Sequence, residues 1–408
     1  MVGPQWTRTQ PSASTAEGRG AAADLMTSFA IRGANAQVVL DGARVAAVDP
    51  PDGGHADNVI DARDCWVLPG FVDLQVNGAG GVDLATEPTR VGEVAAFVVQ
   101  CGVTSFMPTV ISSSMPETGA AIVAITAWSN SHPHGGARSL GVHLEGPFLN
   151  PVRAGAHPVH RLRQPSLEAV DGWRRDTGVA MVTLAPELPN ATAVIERLVS
   201  TGVVVCAGHS DADAADMRAA IASGVDGVTH LFNAMSPITA RSPGVAGATL
   251  ADSGLIAGLI VDGLHVDPTM VRLAWRALGP NRIALVTDAI SALGLPHGAY
   301  RVGETSVTVD VTGAHTLGGV LAGSVLRFDE AVRNLIAFTG CTLAEASMAA
   351  SMTPARLARR SDIGRLVPGG AADIVLLDKQ LQVVATIVDG RVVFDPHQRF
   401  VTASLPGT

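Results

Sequence analysis

Lysine is almost absent from this sequence. Lys379 is the only one in 408 residues, so arginine carries nearly all the positive charge. No basic cluster stands out and the net charge is −9, which argues against nucleic acid as a partner. Aromatic residues make up 4% of the chain, yet hydrophobic residues reach 47%, ample for a large core. At this length, one barrel of ordinary size with a smaller domain fits better than a string of small domains. No uncharged apolar run is long enough to span a membrane, so no membrane partner is expected. The four cysteines, Cys65, Cys101, Cys206 and Cys341, are scattered without C-x-x-C spacing. That is no disulfide framework, and it suits a reducing cytosol, making the cytoplasm the expected location. Residues 1–25 lack the apolar stretch of a secretory signal. Rich in Ala, Gly, Ser and Thr, with Arg8 and Arg19, they are expected to be disordered, and Met26 is a candidate start.

What the sequence does contain is a series of short apolar runs bounded by Gly, Pro or Asn, the pattern of strands buried on both faces. They fall at 71–77, 103–109, 139–145, 180–186, 203–209, 227–232, 256–262 and 282–288, with helical segments such as 89–102 and 211–224 between them. Ser210 and Asp211 are N-cap candidates for the latter helix and Gly224 its stop. Eight strands alternating with helices predict an α/β fold, a (β/α)8 TIM-type barrel, over residues 69–359. Residues 26–68 and 360–408 are instead series of short strands with turn signals at Asp41-Gly42, Asp52-Gly53-Gly54 and Asp389-Gly390. Both chain ends are expected to build one small β-sandwich, which cutting off either end should unfold. Hairpin-like strands at 300–302 and 307–311 interrupt the last helix and are expected to fold over the barrel mouth.

Four of the predicted barrel strands end in an ionisable side chain: Glu145, His209, His230 and Asp288. In a parallel barrel the C-terminal strand ends carry the chemistry. Two His, one Glu and one Asp at such ends are the parts of a hydrolytic metal site. A lone buried His is more often simply hydrogen-bonded, but four buried ionisable groups at four strand ends are too costly without partners. A carboxylate at Asp288 can take a proton from water and return it to a leaving amine; as the residue before A-I-S-A, it can also cap a helix. His143, two residues before Glu145, faces the same side one layer deeper and reads as support for the ligands. His132, His134, His297, His315 and His397 lie in Gly/Pro-rich or terminal segments and are expected at the surface.

The segment P-G-F-V-D-L-Q-V-N-G at 69–78 resembles P-G-[FL]-[IV]-D-x-H-x-H, the first-strand pattern of the amidohydrolase superfamily of metal-dependent barrel hydrolases. It departs from that pattern in holding Gln75 and Asn77 at the two His positions, and neutral amides are poor zinc ligands. The barrel also has no lysine to be carboxylated as a metal bridge, since Lys379 lies in the C-terminal segment. Both departures point to a single metal. Gln75 and Asn77 combine with H-L-E-G-P-F-L-N-P-x-x-x-G-A-H (143–157), G-H-S (208–210), H-L-F-N-A-M (230–235), D-G-L-H (262–265), T-D-A (287–289) and L-A-G-S (321–324). These seven motifs, within a match over about residues 29–396, resemble the N-acetylglucosamine-6-phosphate deacetylase family.

That resemblance implies hydrolysis of N-acetylglucosamine 6-phosphate to glucosamine 6-phosphate and acetate. It implies one divalent metal, usually zinc, on Glu145, His209 and His230, with Asp288 as general base and then acid. Ala156 and His157 match positions that contact the sugar or its N-acetyl group. Asn233, Ala234, Arg241 and His265 match positions that bind the 6-phosphate and the ring, with Arg241 reaching across a homodimer interface. Leu321, Ala322, Gly323 and Ser324 match a backbone-lined part of the pocket. The residues themselves leave alternatives open. Taken alone Arg241 reads as an ordinary solvated surface charge, although Pro237, Pro243, Gly244 and Gly247 place it on an irregular loop, and His265 reads equally as a structural histidine. His157 is either an oxyanion donor or a loop hydrogen bonder. Another amidohydrolase, such as a cyclic amidase or deaminase, and a non-catalytic scaffold are the rival readings.

Overall fold

The computed structural model describes residues 28–400 apart from 52–55, 57, 132–134 and 253. The extension 1–25, Met26, the Asp52-Gly53-Gly54 turn, His132 and His134 lie outside the described residues.

Eight strands pair in parallel in the order of the chain: Phe71–Val76, Val103–Ile111, Val142–Glu145, Val179–Leu184, Val204–Ala207, Gly227–Val228, Ile256–Leu259 and Ile283–Leu285. Their residues are buried throughout, which is why each reads as an unbroken apolar run rather than an alternating one. The first and last strands close the ring through a bridge between Val76 and Ala289 and through the Thr287 hydroxyl, which donates to buried Asp73 at 2.6 Å. The fold is thus the expected (β/α)8 barrel. Several strands stop short of their predicted ends, and the cause is local. His209 (φ 48°), His230 (φ 33°) and Asp288 (φ 52°) all sit in the left-handed region, which ends the extended backbone just where those side chains begin to face the mouth.

The helix Ala214–Ala222 starts at Asp213, whose carboxylate accepts from the Ala215 and Asp216 amides in a capping box. Ser210 and Asp211, the N-cap candidates, are engaged elsewhere: Ser210 donates to Glu187 and Asp211 pairs with Arg153. Gly224, with φ 106°, follows the helix as its stop.

The chain ends form two four-stranded sheets. One contains Phe29–Gly33, Gln37–Asp41, Arg44–Val48 and Asn58–Ala62. The other joins Trp66–Pro69 to Ile374–Leu377, Val383–Val388 and Arg391–Phe394, so an N-terminal strand is the edge of a C-terminal sheet. Ile31, Leu40, Val67, Ile374 and Ile387 meet in one core between them, giving the sandwich. The Asp389-Gly390 turn has φ 49° and 74°, the mirror-image turn that suits a tight hairpin. Arg138 ties sandwich to barrel: its guanidinium donates to Asp373 at 2.7 and 3.2 Å, to Asp389 at 2.5 Å and to Ser105 at 3.1 Å.

A three-stranded antiparallel sheet, Gly298–Val302, Thr305–Asp310 and Gly313–Thr316, fills the interruption seen in the sequence. It has its own small core, in which Val302, Val307 and Val309 pack with Ile111 from the end of the second barrel strand. That contact seats the sheet at the C-terminal mouth of the barrel.

Candidate active site

Glu145, His209 and His230 converge. One carboxylate oxygen, Glu145 Oε1, lies 3.2 Å from His209 Nε2 and 3.0 Å from His230 Nε2, and the two nitrogens are 3.1 Å apart. All three residues are buried. His209 Nδ1 is 2.8 Å from the Arg153 carbonyl, which can only accept, so the proton sits on Nδ1 and Nε2 carries the lone pair. His230 Nδ1 has no hydrogen-bond partner among the described residues. Lone pairs from an oxygen and two imidazole nitrogens crowded to this distance suit a divalent cation, since a tetrahedral zinc with bonds of about 2.0–2.2 Å spaces its ligands similarly. Although burial opposes its charge, the neighbouring His209 and His230 imidazoles hold the Glu145 carboxyl well below the usual carboxylate range.

His157 offers an alternative third ligand with Glu145 and His209. Its hydrogen bonds argue against that role. The Ser112 backbone amide lies 3.3 Å from His157 Nδ1 and the Ser112 hydroxyl 2.9 Å. A backbone N–H can only donate, so Nδ1 accepts and the ring proton is on Nε2, which faces Glu145 Oε2 at 3.8 Å. Burial and neighbouring His209 push its pKa down to about 3, leaving a neutral imidazole with its N–H toward the cavity.

Asp288 lies beside the cluster. Burial, reinforced by the Glu145 charge, pushes its pKa up to about 6. Asn77 lines the cavity at the mouth, which Gln75 does not, and both act as donors toward the cluster. Gln75 Nε2 donates to Glu145 Oε1 at 3.0 Å, and Asn77 Nδ2 donates to Asp288 Oδ1 at 2.7 Å. Each amide orients one of the two acidic groups. His143 lies beneath, its Nδ1 3.0 Å from the Leu74 carbonyl and its Nε2 2.8 Å from the Thr183 hydroxyl, while burial holds its pKa down at about 4.

These groups open into a cavity of about 370 Å³. Of the substrate-binding candidates, Ala156, His157, Asn233, Ala234, His265, Leu321 and Gly323 line it. His265 is held by Asp262, whose Oδ2 is 2.6 Å from Nδ1. Ala322 and Ser324 do not line it. Ala322 is buried in the small core of the accessory sheet, and Ser324 binds the backbone around Asp288, its amide donating to the Asp288 carbonyl at 2.8 Å. Ser324 thus braces the strand end, and Ala322 the accessory sheet, its amide donating to the Ala314 carbonyl at 2.9 Å. Arg241 is exposed and also outside the cavity of its own chain. His297 and His397 are exposed, and His315 is half-buried beside Thr312.

Sequence reasoning missed Arg153, the one guanidinium lining the cavity among the described residues, which forks onto Asp211 at 2.7 and 2.9 Å. It missed Ser112 behind His157. It also missed Glu187, which joins the loops after two strands by accepting from Asn150, Ser210 and the Asp211 amide. Asp262 was missed as the partner of His265, although the D-G-L-H spacing was a local signal for it.

The model of the amidohydrolase family matches residues 66–393. The chain belongs to the amidohydrolase family. This amidohydrolase is 40% identical over 358 residues to the N-acetylglucosamine-6-phosphate deacetylase of Bos taurus, covering 84% of this chain and 87% of that one. It is 33% identical to the enzyme of the same name from Bacillus subtilis, covering 88% and 93%. Among solved structures, a mutant Mycobacterium smegmatis N-acetyl-D-glucosamine-6-phosphate deacetylase in complex with N-acetyl-D-glucosamine-6-phosphate superposes with a TM-score of 0.81. Identity there is 31%, over 90% of this chain and 98% of that one. Among the described residues no helix is long and apolar enough to cross a membrane.

Proposed function

We propose that this amidohydrolase removes the acetyl group of N-acetylglucosamine 6-phosphate by hydrolysis, yielding glucosamine 6-phosphate and acetate. The observation that carries the reading is the pairing of a buried carboxylate, Asp288, with a neutral donor, His157, around the Glu145, His209 and His230 cluster. Those three side chains would hold one divalent cation, with zinc the metal their two nitrogens and one oxygen suit. Bound there, such a cation supplies a Lewis acid for the amide carbonyl and lowers the pKa of water at the site.

The protein's own groups do the rest. Asp288, held by Asn77, takes the proton of the attacking water and returns it to the leaving nitrogen. The Nε2–H of His157 donates to the carbonyl oxygen as negative charge develops on it. Asn233, Ala234, His265 and Arg153 supply polar groups for the sugar and its phosphate. The exposed position of Arg241, on an irregular loop and without a partner among the described residues, suits a reach into the site of a second subunit in a homodimer. A phosphorylated substrate carries charge that does not cross membranes, so this reading puts the reaction in the cytoplasm.

The experiment is metal content per chain measured on the sample assayed for acetate release, with the phosphorylated sugar and with N-acetylglucosamine itself. About one metal per chain, with release that needs the phosphate, supports the reading. Equal release from both sugars refutes the phosphate assignment. Release from neither, with metal bound, refutes the deacetylase reading and points to another amidohydrolase substrate.

A further inference from the structure

The accessory sheet does more than cap the barrel. Its first turn, 302–305, is tied to the active-site wall by contacts from separate elements. Thr305 Oγ1 donates to the Ala156 carbonyl at 3.0 Å. The Glu304 carboxylate receives the Arg161 guanidinium, Nε at 2.9 Å, and lies 3.1 Å from His160 Nε2. On the other side, buried Asp83 accepts the Gly303 amide at 2.9 Å. The turn also rests on Ile111, whose Cδ1 would lie 2.9 Å from a Cβ on Gly303, and Ala156 packs against the core of this sheet.

The segment so held, 154–161, has no regular structure beyond the short 3-10 turn Val159–Arg161, and it carries Ala156 and His157 into the cavity. The donor of His157 is useful only where its ring is fixed. Ser112 holds the Nδ1 edge of that ring, and among the described residues no barrel strand hydrogen-bonds the backbone at Ala156. We propose that Thr305 and Glu304 are positioning residues: their turn is a strap that holds Ala156 and His157 against the substrate. Val302, which lines the cavity from the same turn, then follows any movement of the strap. The kinetic part of this inference rests on the deacetylase reading; the structural part does not.

The test compares metal-loaded wild type with Thr305→Val, Thr305→Ser and the double variant Thr305→Val/Glu304→Ala, by steady-state kinetics and by amide hydrogen exchange. In the double variant KM for N-acetylglucosamine 6-phosphate should rise about tenfold, the size expected for losing one or two ordinary tethers. The turnover number should fall as well, because the His157 donor acts on charge that develops in the transition state. Exchange should rise at 154–161 and stay unchanged in the barrel strands, and Thr305→Ser should restore both readouts. Unchanged exchange at 154–161 overturns the strap whatever the kinetics. A KM and a turnover number both at the wild-type level also overturn it. If the wild type releases no acetate, the substrate reading fails and the exchange comparison still judges the strap.

Discussion

Replacing Arg138 by methionine should be among the most destabilising single changes available away from the active site. The guanidinium makes four hydrogen bonds, three of them to carboxylates. Asp373, whose side chain is 2% exposed, would keep, among the described residues, only the Asp389 amide at 3.0 Å. Removing one partner of a buried ion pair strands the other and costs about 3–5 kcal/mol. Unfolding a chain of this size carries an entropy of about 0.8 kcal/mol/K, so a loss of about 4 kcal/mol lowers Tm by about 5 °C. Calorimetry or urea unfolding measures it. The double variant Arg138→Met/Asp373→Asn should recover more than half of the loss, because the uncompensated charge has gone. A single variant within about 1 °C of wild type, or a double variant worse than the single, would refute the reasoning.

Three further outcomes are expected. Asp288→Asn should lower turnover by about 10²–10⁴ while metal content, read by atomic absorption, stays at the wild-type level; full activity would remove Asp288 as the base. Asn77→Ala removes a donor to the ionised form of Asp288, so the acid limb of the pH–rate profile should move up by about one unit, and an unmoved limb would show that Asn77 does not tune it. Burial pushes the pKa of Asp73 up to about 7 from 3.8, so between these values the folded protein holds a proton that the unfolded chain releases. Stability contributed by that proton is present below about pH 4 and is lost as pH rises through about 7; Asp73→Asn should flatten this slope in urea titrations at pH 5 and 7.5.

The barrel strands were legible because strands buried on both faces spell out as unbroken apolar runs, and those here do. The four ionisable strand ends were legible for the same reason: a charge at the end of such a run is conspicuous. What crosses between strands was not. Gln75 and Asn77 looked like histidines lost from a metal site, whereas in space they are the donors that orient Glu145 and Asp288. Ser112 is 45 residues from His157, and no periodicity joins them. The helix start was misplaced because S-D-A-D offers three capping side chains in four positions, and only the folded chain assigns Ser210 to Glu187 and Asp211 to Arg153. The L-A-G-S motif marked 321–324 as backbone-lined pocket, and it does not record that Leu321 and Gly323 line the cavity while Ala322 and Ser324 turn away from it.

The strand Trp66–Pro69 pairs only with Ile374–Leu377, some 300 residues later in the chain. At about 5–20 residues per second, a ribosome leaves that strand without its neighbour for roughly 15–60 s. The barrel can therefore close while one edge of the sandwich still waits, and the last strands synthesised act as a zip that seals the first. Joining the two chain ends and reopening the chain at a barrel loop would bring those strands out together and remove the wait.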